Sequence, residues 1–241
     1  MTLISLENVE KTYQLGETTV NALRGSDVKI EEGEFIAVMG PSGSGKSTLM
    51  NMIGALDQPT AGEVKIDDDN IKGMSEDGLA LLRSKKIGFV FQEFNLINSM
   101  NAWQNVALPM IFRGKPKKER RERAFELLER VGLGDRKEFN PSELSGGQRQ
   151  RVSIARALAN DPEIILADEP TGNLDTETGK SIMDLLTELN QQGKTIVMVT
   201  HDPNDAEYAD RIIEIIDGKT NPEETSNSQK KLKRSKEKST D

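Results

Sequence analysis

Residues 3–11, LISLENVEK, alternate apolar and polar side chains, the period of a strand with one face buried and the other in water. Residues 20–30 repeat the alternation, so the chain opens with two half-buried strands. A turn at Glu32-Gly33-Glu34 then leads into Phe35-Ile36-Ala37-Val38, an unbroken apolar run of the kind that is covered on both faces in a parallel sheet. Three later runs share that character: 87–91 ending at Gln92, 163–169 (EIILADE), and 195–200 (TIVMVT). A short strand is predicted at 63–66 and a closing one at 211–217, with Gly218 ending the fold. Tyr13 falls just after the first predicted strand.

Between the strands the apolar period changes to that of helices, at 48–53, 74–83, 144–158 and 179–190. Pro116 opens a further helix, KKERRERAFELLERVG, whose Ala124, Leu127, Leu128 and Val131 share one face while Lys and Arg occupy the other. The predicted class is therefore α/β: a mostly parallel core sheet, an antiparallel N-terminal β subdomain, and an α-helical subdomain inserted at about 95–160. Residues 1–220 form the folded part and 221–241 a basic tail too poor in apolar residues to fold.

Composition narrows the chemistry. The 241 residues include no cysteine and one histidine, His201, which removes disulfides, thiolate sites and histidine-cluster metal sites. Any metal must come with a ligand. The net charge is -8, and because the tail is net basic the body is more acidic still, so direct binding of nucleic acid is not expected. No run approaches the ~18 apolar residues of a membrane span, and residues 1–20 lack a signal-peptide pattern, so a cytoplasmic chain is expected. The tail's lysines would allow weak attraction to anionic lipid or simply keep a terminus solvated.

The chemistry concentrates at strand ends. After the 35–38 run comes Gly40-Pro41-Ser42-Gly43-Ser44-Gly45-Lys46-Ser47-Thr48, the pattern G-x-x-x-x-G-K-S between a strand and a helix. Its glycines let successive N–H groups curl around an anion, the following helix adds its positive end, Lys46 supplies a point charge, and Ser47 offers a hydroxyl to Mg²⁺. A second glycine-rich turn, Leu144-Ser145-Gly146-Gly147-Gln148, also opens a helix but carries no lysine; a capping box without a ligand accounts for it equally well on local grounds. Asp168 and Glu169 follow the 163–167 strand residues, where Asp168 suits a Mg²⁺ contact and Glu169 a base for attack on a γ-phosphate. Gln92 and His201 also stand at the carboxyl ends of strands, where open α/β sheets meet their ligands; a polar strand end and a structural histidine are the plainer readings. Tyr13 is an aromatic able to stack on adenine or to pack an edge.

Taken together, in order, these stretches resemble the nucleotide-binding subunit of ABC transporters over about residues 3–219. The resemblance implies a P-loop NTPase fold. It makes Gly40 to Ser47 the Walker A loop, Gln92 the Q-loop, Leu144 to Gln148 the signature, 164–168 Walker B, Glu169 the catalytic glutamate, Asn173, Leu174 and Asp175 part of the D-loop, His201 the switch histidine and Tyr13 the A-loop aromatic. Gln92 and His201 then join Glu169 in catalysis, and Ser47, Gln92 and Asp168 surround Mg²⁺. The stretches VMGPSGSGKSTLMNMIGALD, GFVFQEFNLI and ILADEPTGNLD are similar to the lipoprotein-release and macrolide-export branch (LolD, MacB and the related FtsE), while Arg149 stands where glutamine is expected in many relatives.

What the resemblance implies is an ATP hydrolase that pairs head to tail with a second copy of itself around two Mg·ATP, the signature of each copy reaching the γ-phosphate held by the other. Its dimer would drive a separate integral membrane permease, and the chain would be peripheral at the cytoplasmic face of the plasma membrane. The alternative is a soluble ABC ATPase acting in DNA repair or on ribosomes. Fewer than a hundred residues separate Ser47 from Leu144, which leaves no room for the long coiled coil of the repair type. A scaffold that does not hydrolyse is opposed by the presence of Lys46, Asp168, Glu169 and His201.

Overall fold

The computed structural model describes residues 1–221 and 225–226. In chain order the elements are β1 (Thr2–Leu15), β2 (Thr18–Glu31), β3 (Phe35–Met39), α1 (Lys46–Ile53), β4 (Ala61–Ile66), β5 (Asp69–Asn70), α2 (Glu76–Lys86), β6 (Ile87–Val90), α3 (Ala102–Phe112), α4 (Lys117–Arg130), α5 (Gly146–Ala157), β7 (Ile164–Asp168), α6 (Thr176–Gln191), β8 (Thr195–Val199), α7 (Pro203–Ala206), β9 (Arg211–Ile216), β10 (Lys219–Thr220) and β11 (Thr225–Ser226). A 3-10 turn at Pro141–Glu143 precedes α5. The chain divides into two compact units, residues 1–74 with those from 197 onward, and residues 75–196.

In the first unit the alternating N-terminal segments become an antiparallel sheet of order β2-β1-β4-β5. Ile4 and Leu6 pair with Ile30 and Val28 on one side and with Ile66 and Val64 on the other. These side chains are fully buried or nearly so, which explains why the register is specified: a slip of one residue would turn that apolar set to water. β1 runs on through Tyr13 to Leu15, so Tyr13 lies inside the strand, opposite Val20, and not beyond its end. The long pairing with β2 extends the strand past the point where the apolar period fades.

β3 and β9 pair in parallel, Val38 opposite Ile213. Phe35, Ile36, Ala37 and Val38 are all buried, as their unbroken apolar run requires. The entry to β3 is fastened by charge: Arg211 donates through two nitrogens to Glu34, at 2.8 and 3.1 Å, and the Asp210 carboxylate accepts from the Phe35 amide at 3.0 Å. Gly218 does not end the fold. β10 turns back antiparallel on β9, and Thr225–Ser226 pairs antiparallel with Ile212 and Arg211. The other residues from 222 onward, which hold the predicted unfolded tail, lie outside the described residues.

The second unit pairs β6 and β7 in parallel, Ile87 opposite Ile164 and Val90 opposite Ala167. The segment 95–160 holds α3, α4, the 3-10 turn and α5. α4 turns Ala124, Leu127 and Leu128 inward with Val131, the face its sequence spacing defines. α3 starts from a capping box between Asn101 and Gln104, and the buried Asn105 amide holds the loop before it by bonding to Ile97 and Met100. Fold class is thus α/β, with an antiparallel N-terminal sheet and parallel pairing in the core strands. Among the described residues no helix is long and apolar enough to cross a membrane.

Candidate functional site

From Met39 the backbone leaves β3 through a loop that only glycine permits at two points. A Cβ on Gly40 would stand 2.2 Å from the carbonyl oxygen of Ile215, and Gly45 combines a left-handed φ of 107° with an approach of 2.6 Å to the Ala22 carbonyl oxygen. Gly45 is also the N-cap of α1, and it offers no side chain to the first turn. The amides that Ser or Asp would otherwise satisfy therefore face the loop, at the positive end of the helix.

Lys46 bends back so that Nζ donates to the carbonyls of Gly40 and Pro41, at 2.7 and 2.9 Å. Pro41, Ser42, Gly43 and Ser47 are exposed, Thr48 is half-buried, and Ser44 is buried with a hydroxyl that has no hydrogen-bond partner among the described residues. A polar cradle with an orphaned hydroxyl and a lysine held at its rim has the chemistry of a phosphate site.

Tyr13 stands beside this helix. Its hydroxyl donates to Asp57 at 3.0 Å, with Thr48 and Asn51 of α1 next to it, and the Lys11 ammonium lies 5.0 Å from the ring centre. Burial, then the hydrogen bond to Asp57 and its charge, raise the pKa of the Tyr13 hydroxyl. For Asp57 burial pushes upward, but hydrogen bonds from Lys11, the Gln58 amide and Tyr13 outweigh it and hold the carboxyl below its ordinary value. His201 is exposed at the end of β8, where the preceding Thr200 amide donates to the Val38 carbonyl at 3.2 Å and Asp202 caps α7. The first unit thus assembles Tyr13, Gly40 to Thr48 and His201 on the ends of neighbouring elements.

The second unit gathers the remaining candidates. Gln92 follows β6, and its side chain lies so close to Gly172 that a Cβ there would sit 2.7 Å from Nε2; Asn173 Nδ2 donates to the Gln92 carbonyl at 3.0 Å. Asp168 ends β7 half-buried, and Glu169 adopts a φ of 42°. A left-handed glutamate holds about 1–3 kcal/mol of strain, of the sort that collects at working sites, and the reversal is closed by the Gly172 amide donating to the Glu169 carbonyl at 3.1 Å.

Ser145 caps α5, its hydroxyl accepting from the Gln148 amide at 3.3 Å while the Ser145 amide donates to Gln148 Oε1 at 2.9 Å. Leu144 is buried, Gly146 lies near Leu174, and a Cβ on Gly147 would fall 2.3 Å from Thr178 Cγ2. Glycine at 147 is thus what lets α5 meet α6 closely. Asp175 caps α6, accepting from the Thr178 amide at 3.0 Å and hydroxyl at 2.6 Å; the hydroxyl first, and backbone amides next, hold its pKa below normal.

Sequence reasoning missed Gln150. It is wholly buried, and its Nε2 donates to the Pro170 carbonyl at 2.7 Å and the Phe91 carbonyl at 3.3 Å, so one amide ties the segment before Gln92 to the segment after Glu169. The signal was present: position 150 falls on the buried stripe of α5 with Gly147 and Ile154, and a glutamine there needs partners. Arg156 does similar work, donating to the Phe94 carbonyl at 2.8 Å. Arg149 stacks its guanidinium over the Phe94 ring, 5.1 Å from its centre. Among the described residues no three His, Cys, Asp or Glu side chains gather as a metal cage.

Comparison with known proteins identifies the family. Residues 23–172 match the family model described as ABC transporter. The chain is 53% identical over 220 residues to the ABC transporter ATP-binding protein YknY of Bacillus subtilis, covering 91% of this chain and 96% of that protein. It is 52% identical over 218 residues to the macrolide export ATP-binding/permease protein MacB of Aggregatibacter actinomycetemcomitans, covering 90% of this chain but 34% of that longer protein. Among solved structures, it resembles the ATP-binding cassette MJ0796 of Methanocaldococcus jannaschii, a dimer in a post-hydrolysis state bound to ADP and Pi, with a TM-score of 0.84, 51% identity, and 92% of this chain and 98% of that one covered.

Proposed function

This chain belongs to the ABC transporter family as an ATP-binding, ATP-hydrolysing component, and on that premise we propose that it works as a head-to-tail dimer powering a separate membrane permease. The observation that carries the reading is the loop from Gly40 to Ser47, an uncapped helix start with an orphaned Ser44 hydroxyl and Lys46 anchored at its rim. That loop holds the ATP phosphates: backbone amides and Lys46 take the outer oxygens, Ser42, Ser44 and Thr48 line the cradle, and Tyr13 receives the adenine. Ser47, Gln92 and Asp168 are the residues that would surround a Mg²⁺ bound with the nucleotide, which would neutralise phosphate charge.

Glu169 accepts a proton from the water that attacks the γ-phosphorus as the bond to the leaving ADP breaks; His201 donates a hydrogen bond to the γ-phosphate oxygens, and Gln92 helps to position the water. The second copy supplies Leu144 to Gln148, whose Ser145 and Gly147 reach the γ-phosphate, and Asn173, Leu174 and Asp175 line the same interface. A two-fold interface is self-complementary, so a single chain builds both composite sites. Supporting the pairing are the dimeric state of the archaeal cassette and the packing of Gly146 and Gly147 on Leu174 and Thr178, which gives the signature and the 173–175 turn one surface. Supporting the permease partner is MacB, where an ATP-binding part matching this chain makes up about a third of an ATP-binding/permease protein. The chain then sits at the cytoplasmic face of the membrane through that partner.

Replacing Glu169 with Gln removes the base and keeps the shape. The Glu169→Gln protein is expected to bind ATP, to elute as a dimer with ATP and Mg²⁺ in size-exclusion chromatography, and to lose about 10²- to 10⁴-fold in turnover. A variant that stays monomeric at high concentration with saturating ATP would sink the dimer.

A further inference from the structure

Asp57 closes the stretch that runs on from the phosphate loop and has no role assigned above, yet its carboxylate is held by three hydrogen bonds. Oδ1 accepts from Lys11 Nζ at 2.6 Å and from the Gln58 amide at 2.7 Å, and Oδ2 accepts from the Tyr13 hydroxyl at 3.0 Å. Lys11 also donates to the Gln58 carbonyl at 2.8 Å, and its side chain is largely buried. The base of this group is α1 itself. The amides of Leu56 and Asp57 both point to the Asn51 carbonyl, at 2.9 and 3.4 Å, which fixes the carboxylate against the helix that begins at Lys46.

We propose that Asp57 is a positioning residue that holds the Tyr13 ring at a set distance from the phosphate loop, with Lys11 as its clamp, and so determines how much of the binding energy comes from the nucleobase. This rests on the reading that Gly40 to Ser47 holds the phosphates. Three physical points support it. A tyrosine on a strand is free to rotate about two side-chain torsions, and a hydrogen bond from its hydroxyl to a fixed carboxylate removes that freedom before a base arrives. The Lys11 ammonium lies 5.0 Å from the centre of the half-buried ring, a second contact that limits its motion. Asp57 and the phosphate loop are joined through the eight residues of α1, so the spacing from base platform to phosphate cradle is set by a rigid element.

The test separates the base from the phosphates by comparing ATP with inorganic tripolyphosphate, in calorimetry on the full chain. Tyr13→Phe keeps the ring and removes the tether, and Asp57→Ala removes the anchor. Both are expected to weaken ATP binding about tenfold, the effect of losing one hydrogen bond to a charged group, while tripolyphosphate affinity stays at the wild-type value. Asp57→Asn, which keeps an acceptor oxygen, restores most of the ATP affinity. Unchanged ATP affinity in both Tyr13→Phe and Asp57→Ala would overturn the proposal, as would a parallel loss of tripolyphosphate affinity, which marks a general loosening of α1. If Lys46→Ala binds both ligands as the wild type does, the phosphate-loop reading fails first and takes this one with it.

Discussion

Two helices of this chain begin at glycine-rich turns, and they begin in opposite ways. α1 starts from a left-handed glycine with no side-chain cap, whereas α5 starts from Ser145 in a reciprocal capping box with Gln148. At α1 the first-turn amides are turned to a loop whose own lysine is held back on the Gly40 and Pro41 carbonyls. At α5 the Gln148 amide is already satisfied by Ser145, and no cation stands in the turn. The lesson is that a glycine-rich helix start is not one kind of site. An open cap with a lysine suits an anion held within its own chain, and a closed cap without one suits an anion whose charge is neutralised elsewhere and presented to it, as in the dimer proposed above.

Lys46→Ala probes the open end and carries the larger expected effect. Loss of a charge-assisted contact to phosphate should weaken ATP binding about 10- to 100-fold in calorimetry, with unfolding temperature little changed. Ser145→Ala probes the closed end. Losing the cap costs about 1 kcal/mol, a fall in Tm of roughly 2–4 °C for a chain of this size, and turnover by the dimer should drop. ATP affinity measured at protein concentrations too low for pairing should not move; if it falls as it does for Lys46→Ala, the two helix starts serve one chain's nucleotide and the distinction is wrong.

The smallest effect concerns the anchor of α1. Asp57 has a depressed pKa in the folded chain, so its contribution to stability is present above the ordinary carboxylate value and is lost as pH falls through the folded value. Thermal melts between pH 6 and pH 3 should show the wild type losing stability faster than Asp57→Asn on acidification, the gap between them closing at the acid end. Parallel curves would mean that the carboxylate is not anchored.

What was legible in the sequence was what depends on neighbours along the chain. The apolar runs of β3, β7 and β8, the inward face of α4, and the Gly40 to Ser47 loop all follow from local period and local stereochemistry. Residues at a fixed spacing meet because the strand or helix between them is regular. Gln150 was half legible, as a polar residue on a buried stripe, but its partners at Phe91 and Pro170 were not. Tyr13 lies inside β1 because the pairing with β2 outruns the apolar period, and the strand after Gly218 leaves no mark in the sequence because the two-residue β10 is too short to show a period of its own.

By itself, then, the sequence determined the main apolar strands and amphipathic helices, the Gly40 to Ser47 loop and the order of the motifs, since these are written in residue type and spacing over a few positions. Tertiary structure alone decided the left-handed turn at Glu169, the close approach of Gly147 to Thr178, and the knot of Lys11, Tyr13 and Asp57 across more than forty residues of chain. The last two depend on which distant side chains pass nearby, and the first on a local backbone conformation that residue type does not announce. Only the packed sheet and helices bring such partners within hydrogen-bond reach, and no local pattern encodes it.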